Sequence, residues 1–135
     1  MANEVTVIEY LGSPKGEGLR YFCADSAAIE KGSICNLKDA NATSGANTTG
    51  AVTPCAGIAV MEKVASDGAA EISCLTNCIV KATASGAITL GAPIGMAENN
   101  KVKQIDTVVL SGAFCIGYSM ETVADAETFR ARIEL

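Results

Sequence analysis

The chain has 135 residues, 49% hydrophobic and 19% charged, with a net charge of −5 and a pI of about 4.6. That is long enough to bury one core and too apolar to stay disordered. Its acidity, with no Lys/Arg cluster, argues against nucleic acid, whose binding needs a cationic footprint to displace counterions, and against an anionic membrane surface.

Alternating side chains predict an opening strand over residues 4–10, with Val5 and Val7 on one face and Ile8 and Tyr10 on the other. Gly12-Ser13-Pro14-Lys15-Gly16-Glu17-Gly18 then reads as a flexible hinge. Residues 1–18 are therefore a candidate N-terminal arm and hinge on a single domain of residues 1–135. Leu19, Tyr21 and Cys23 alternate with Arg20 and Phe22, a second strand. Residues 24–31 are a short helix or turn ended by Gly32, and residues 33–37 are a third strand. Residues 39–54, rich in Asn, Ala, Thr, Ser and Gly, read as a long irregular loop.

Strand character resumes over 57–64, and Asp67-Gly68 is a hairpin signal. Residues 71–84 form the longest β run, with Asn77 a candidate bulge. Ile88-Thr89-Leu90 is a short strand, and Pro93 suits an edge or a strand start. Glu98-Asn99-Asn100 marks a second hairpin, because Asn tolerates positive φ. Strands follow over 102–110 and 113–120, then a second short helix candidate over 121–127. Phe129, Ala131, Ile133 and Leu135 alternate with Thr128, Arg130, Arg132 and Glu134, a half-buried closing strand. Short strands at this spacing predict an all-β fold, a small barrel or sandwich with at most one or two short helices.

Two segments echo each other. Ala28-Ile29-x-x-Gly32 recurs as Ala87-Ile88-x-x-Gly91, and Met61-Glu62-x-Val64-Ala65 as Met120-Glu121-x-Val123-Ala124. Asn41 and Asn100 share that spacing, and Leu37 corresponds to Met96. The pattern predicts an internal duplication of one β unit.

Six cysteines occur with no histidine. No signal peptide opens the chain and no apolar run is long enough to span a bilayer, so the chain reads as folded in a cytoplasm, where reduced, buried thiols are the default. In an extended strand Cys74 and Cys78 would stand about 13 Å apart, too far for a disulfide or a shared zinc unless Thr76-Asn77 turns. Without histidine, Ser-His-Asp and Cys-His nucleophile systems are excluded. The carboxylates are scattered, and Glu62 and Glu121 read as solvated strand ends. A self-cleaving Gly-Ser bond at Gly12-Ser13 or Gly32-Ser33 is a remote alternative, and no phosphate-cradling glycine motif is present. No catalytic residue, cofactor or metal is expected.

The order of these motifs resembles a known family. Ala28-Ile29-Glu30-Lys31-Gly32 leading into Ile34 and Leu37 looks like its A-I-x-x-G turn followed by an apolar strand, as does Ala87-Ile88-Thr89-Leu90-Gly91 leading into Ile94 and Met96. Gly57-Ile58-Ala59-Val60-Met61-Glu62 and Ile116-Gly117-Tyr118-Ser119-Met120-Glu121 resemble its strand ends, and final strands follow over 70–75 and 128–135. Over residues 26–135 the chain is similar to the capsid decoration, or cement, proteins of tailed phages.

The resemblance implies a small β-tulip-type body, often trimeric. It would sit on the outside of an expanded head, at three-fold or quasi-three-fold positions, bridging major capsid proteins of the HK97-type fold so that the shell resists internal DNA pressure. The partners implied are that capsid protein and further copies of this chain, in a virion assembled in a host cytoplasm. Glu4, Val5, Thr6, Val7 and Ile8 would contact the capsid by strand addition, or else form an ordinary edge strand. The rival reading is a glycan- or ligand-binding β-module in host adhesion. Such a site needs exposed aromatics, whereas Tyr10, Tyr21, Phe22, Phe114, Tyr118 and Phe129 fall mostly at expected core positions.

Overall fold

The computed structural model describes residues 3–10, 18–24, 26–38, 42–44, 54–105 and 115–135. Among them are β1 (Thr6–Tyr10), β2 (Gly18–Phe22), β3 (Ile34–Lys38), β4 (Ala42–Ser44), β5 (Cys55–Ala59), β6 (Glu71–Leu75), β7 (Asn77–Thr83) and β8 (Pro93–Met96). A 3-10 turn at Glu98–Asn100 follows, then β9 (Val102–Gln104), β10 (Gly117–Ser119) and β11 (Thr128–Glu134). Strands β2-β4-β3-β5-β6 close into a small barrel, and β1-β7-β11-β10-β8-β9 form a six-stranded sheet. The fold is all-β, as the alternation predicts. On β11, Phe129, Ala131 and Ile133 are buried while Thr128, Arg130 and Glu134 face solvent. On β2, Tyr21 is buried between exposed Arg20 and Phe22. Pro93 opens β8, and Asn99 (φ 55°) and Asn100 (φ 60°) turn the chain between β8 and β9.

Several expectations are corrected. Neither 24–31 nor 121–127 forms a helix among the described residues. Each holds a β-bridge, Ile29 to Lys63 and Ile88 to Val123, and so short a segment cannot nucleate a helix against such pairing. Ile88-Thr89-Leu90 is no strand, since only Ile88 bridges and Leu90 lies exposed. The run 71–84 is two strands broken at Thr76, with no bulge at Asn77. The break delivers Cys74 and Cys78, which alternation would place on one face, to two different cores. The expected 39–54 loop contains β4, which pairs with β3 and touches β2 through Ala42. The Thr43 hydroxyl fixes it by donating to the Asn36 carbonyl at 2.7 Å. Residues 11–17, 39–41, 45–53 and 106–114 lie outside the described residues, and with them the expected hinge up to Gly18, the Gly12-Ser13 bond, Asn41 of the repeat, Phe114 and parts of the strands expected over 102–110 and 113–120.

The duplication is visible in the pairing. The first unit has the order β4-β3-β5-β6-β2 and the second β9-β8-β10-β11-β7. Ile34 pairs with Ile58 where Pro93 pairs with Tyr118, and Arg20 with Ser73 where Lys81 pairs with Arg130. The Gly32 N–H donates to the Ala59 carbonyl at 2.9 Å, and the Gly91 N–H to the Ser119 carbonyl at 2.8 Å. Those bonds correct one part of the sequence echo. Gly91 answers Gly32, but Ser119 answers Ala59, one residue further along, so the two Met-Glu pairs are not structural equivalents. Met61 answers Glu121, and Val60 answers Met120.

Two cores result. Tyr21, Cys23, Ile29, Cys35, Ala56, Ala59, Ile72 and Cys74 fill the first barrel. A larger cluster centred on Val80, Ile94, Ile116, Phe129 and Ile133 fills the second unit and takes in Ile34, Cys55, Ile58 and Leu75 from the first. Strand β5 is therefore covered on both faces, which is why Cys55-Ala56-Gly57-Ile58-Ala59 is uninterruptedly apolar rather than alternating. Each fully buried Ile or Phe contributes about 1.5–3 kcal/mol.

Candidate docking interface

Strand β1 lies antiparallel on the outer edge of β7, pairing Thr6 with Lys81 and Val7 with Val80, then slipping by one residue so that Glu9 meets Ile79. The slipped residue is Ile8, whose side chain is 45% exposed. A bulge of this kind bends an edge strand and re-aims one side chain. The segment is pinned at its start. Val5 is buried in the larger core, and its N–H donates to the Gly32 carbonyl at 3.1 Å. Asn100 Nδ2 donates to the Asn3 carbonyl at 2.9 Å, and Asn3 Nδ2 to the Asn99 carbonyl at 3.0 Å. Gly32 (φ 82°) permits this approach, because a Cβ there would collide with the Glu4 side chain and stand 2.9 Å from the Val5 carbonyl oxygen.

Of the residues expected to meet a partner, Glu4, Thr6 and Ile8 present exposed side chains, Val7 is half-buried and Val5 points into the core. The outer edge of β1 is a free sheet edge among the described residues. A cleft of about 160 Å³ runs between this segment and the Lys31-Gly32 turn, reaching Ala59 and Val60.

Two grooves follow the duplication. One, of about 370 Å³, is lined by Arg20, Phe22, Met61, Glu71, Ile72 and Ser73. The other, of about 290 Å³, is lined by Lys81, Glu121, Thr128, Phe129, Arg130 and, from β1, Ile8. The pairing registers make them counterparts: Lys81 answers Arg20, Glu121 answers Met61, and Thr128, Phe129 and Arg130 answer Glu71, Ile72 and Ser73. In the first groove Phe22 is 54% and Met61 53% exposed, beside an Arg20–Glu71 ion pair at 3.0 Å. Sequence reading missed this groove by assigning aromatics to the core. The signal was present in Phe22, which shares the polar face of an alternating strand with Arg20. Tyr118 is also exposed, whereas Tyr21 and Phe129 are buried.

The reactive groups serve packing. All six cysteines are free thiols, five of them buried. Burial pushes Cys55 up to about 12 and Cys78 up to about 11, the latter tempered by the Arg132 charge. The Cys74 thiol hydrogen-bonds the Cys35 sulfur, which raises Cys74 and lowers Cys35. Gly32-Ser33 is a turn in which Ser33 is buried and its N–H bonds the Glu30 carbonyl. The buried Lys63 ammonium pairs with Asp67 at 3.1 Å and donates to the Val64 carbonyl at 3.2 Å. The Ala69 N–H and then Lys63 hold the Asp67 carboxyl below its usual range. Among the described residues no three His, Cys, Asp or Glu side chains are placed to hold a metal ion.

The solved structure of the head fiber gp8.5 N base of bacteriophage phi29 has a similar fold, with a TM-score of 0.57 at 10% identity, covering 87% of this chain and 95% of that one. No curated protein matches the chain by sequence. The family model described as "Phage cement protein" matches residues 13–135. The match takes in both β units, and the chain therefore belongs to the phage cement protein family, a family of structural phage-head proteins.

Proposed function

We propose that this chain is a non-enzymatic cement protein that binds the outer surface of an expanded phage head at three-fold or quasi-three-fold positions. There it bridges neighbouring copies of a major capsid protein of the HK97-type fold. The observation that carries this reading is the family match over residues 13–135. The fold supplies what such a role needs, namely a two-unit body with an exposed sheet edge and apolar side chains at its surface. Expansion by packaged DNA loads the joints between capsomers. A body attached to several of them must break several contacts together before the joint opens, so modest individual affinities multiply. We assign the working form to a homotrimer on the virion exterior, assembled in the host cytoplasm, with the exposed Glu4, Thr6 and Ile8 of each copy, beside half-buried Val7, against the shell while Val5 anchors the segment in the core.

The test is reconstitution. Purified chain added to expanded heads lacking it should sediment with them at a saturating ratio and raise the temperature at which they release DNA. No binding, or binding without added resistance, overturns the reading. Deleting residues 1–11 tests the arm separately, and unchanged binding by that variant removes the arm from the proposal while leaving the rest.

A further inference from the structure

The duplication leaves one place filled in the second unit and, among the described residues, unfilled in the first. The hydrogen bond from the Ala84 N–H to the Glu127 carbonyl fixes the alternation along β7, so that Ile79 and Lys81 turn their main-chain groups away from β11 and toward β1. In the first unit the Cys23 N–H donates to the Ala70 carbonyl, so Arg20 and Phe22 turn theirs away from β6 in the same manner. Phe22 meets Ala42 of β4 there, much as Ala84 bridges Val102 at the end of β7. Among the described residues no strand takes the position beside Arg20 that β1 takes beside Lys81. The groove that Ile8 flanks in the second unit has a larger counterpart in the first, which carries exposed Phe22 and Met61.

We infer that the side of β2 facing away from β6, along the stretch around Arg20 that precedes the meeting of Phe22 with β4, is a strand-acceptor site for an extended segment of the shell protein, running antiparallel to β2 with an apolar side chain over Phe22 and Met61. The inference rests on the cement reading. The filled counterpart defines the occupant's chemistry: β1 is an extended segment, and its apolar Ile8 stands against the matching groove. A second copy of this chain is a poorer donor through β1, because that strand is held in its own body by Val5 and Asn3. Main-chain bonds to Arg20 would supply affinity, and the Phe22–Met61 groove would choose the side chain above it.

Arg20→Pro deletes the outward N–H without touching the ladder to β6, because the Arg20 main-chain groups point away from that strand. Phe22→Lys charges the groove and leaves every main-chain group in place. With both variants confirmed as folded by circular dichroism, each should bind expanded heads at least tenfold more weakly than the natural chain, and amide exchange at residues 18–22 of the natural chain should slow on the heads. If the natural chain binds and both folded variants bind equally well, the acceptor site is overturned while the cement reading stands. If Arg20→Pro does not fold, Phe22→Lys and the exchange measurement decide. If the natural chain does not bind heads, both readings fall. Slowed exchange at 18–22 in the free chain at rising concentration would assign the edge to a second copy and overturn the shell segment.

Discussion

Asn100 closes the seam between the two units by capping Ile34. Its Oδ1 accepts the Ile34 N–H at 2.7 Å, while its Nδ2 donates to the carbonyls of Gly32 and Asn3 at 2.9 Å. One buried side chain on the β8–β9 turn thus satisfies main-chain groups of the first unit and of the N-terminal segment. Its counterpart by sequence spacing, Asn41, lies outside the described residues.

Replacing Asn100 should therefore cost more than an average surface turn. Asn100→Ala leaves the buried Ile34 N–H unpaired, takes from the Gly32 carbonyl one of its two donors while the Val5 N–H stays, and places Ala at φ 60°, for a loss of about 3 kcal/mol. Asn100→Gly loses the same bonds without the backbone strain and should be about 1 kcal/mol less costly. Urea unfolding of the three chains measures both differences, and equal stability of Asn100→Ala and the natural chain would refute the role of the seam.

Gly57 and Gly117 are expected to tolerate no side chain. They occupy counterpart positions at φ 135° and 155°, with the carbonyls of Leu75 and Arg132 where a Cβ would go. An Ala at either should cost at least about 3 kcal/mol, since main chain cannot yield as a side chain can. Gly68 and Gly86 have open space where a Cβ would go, so Ala there should cost only the positive-φ strain, about 1–2 kcal/mol. Thermal unfolding of the four variants should divide them into these two pairs.

Thiol labelling should separate one cysteine from five. Cys115 is half-buried, its Sγ 3.5 Å from the Gly117 carbonyl, and the other five are buried. Under native conditions a maleimide should modify Cys115 first, with the remaining five reacting only as the fold opens. Cys35 is the informative exception, because its lowered pKa favours the thiolate although no surface is open to reagent. Peptide mapping that found Cys35 modified as fast as Cys115 would show that the first barrel opens readily.

The Lys63–Asp67 pair should give the chain an acid-sensitive component. The Asp67 pKa is lowered on folding, so its contribution is complete above the unfolded value of about 3.9 and disappears as pH falls through the lower folded value. Asp67→Asn should lose stability at neutral pH, and its gap from the natural chain should narrow as pH drops below about 4. A gap that stays constant down to pH 2 would mean the carboxylate charge contributes nothing.

Much of this molecule is written locally. The alternation in Leu19–Cys23 and in 128–135 specifies strands with one buried face, because successive side chains on a strand must point to opposite sides. The glycines and asparagines of the echo mark its turns, since few other residues adopt positive φ there without strain. The candidate docking edge was legible only in part. The sequence placed a strand at 4–10, but nothing in it stated that Val5 enters the core or that Ile8 is bulged outward.

By itself, then, the sequence determined an all-β chain, built from two related units and belonging to a family of head proteins. Only the tertiary structure decided which strands pair, that the run 71–84 breaks at Thr76 to feed two cores, and that the echo slips by one residue between Gly32 and Ala59. It also decided that β1 fills the edge of the second unit while, among the described residues, no strand takes the matching place beside Arg20 in the first. The division has a physical cause. Side-chain period and turn conformation are set within a few residues, whereas strand partners are chosen by burial and hydrogen bonding between segments far apart in the chain.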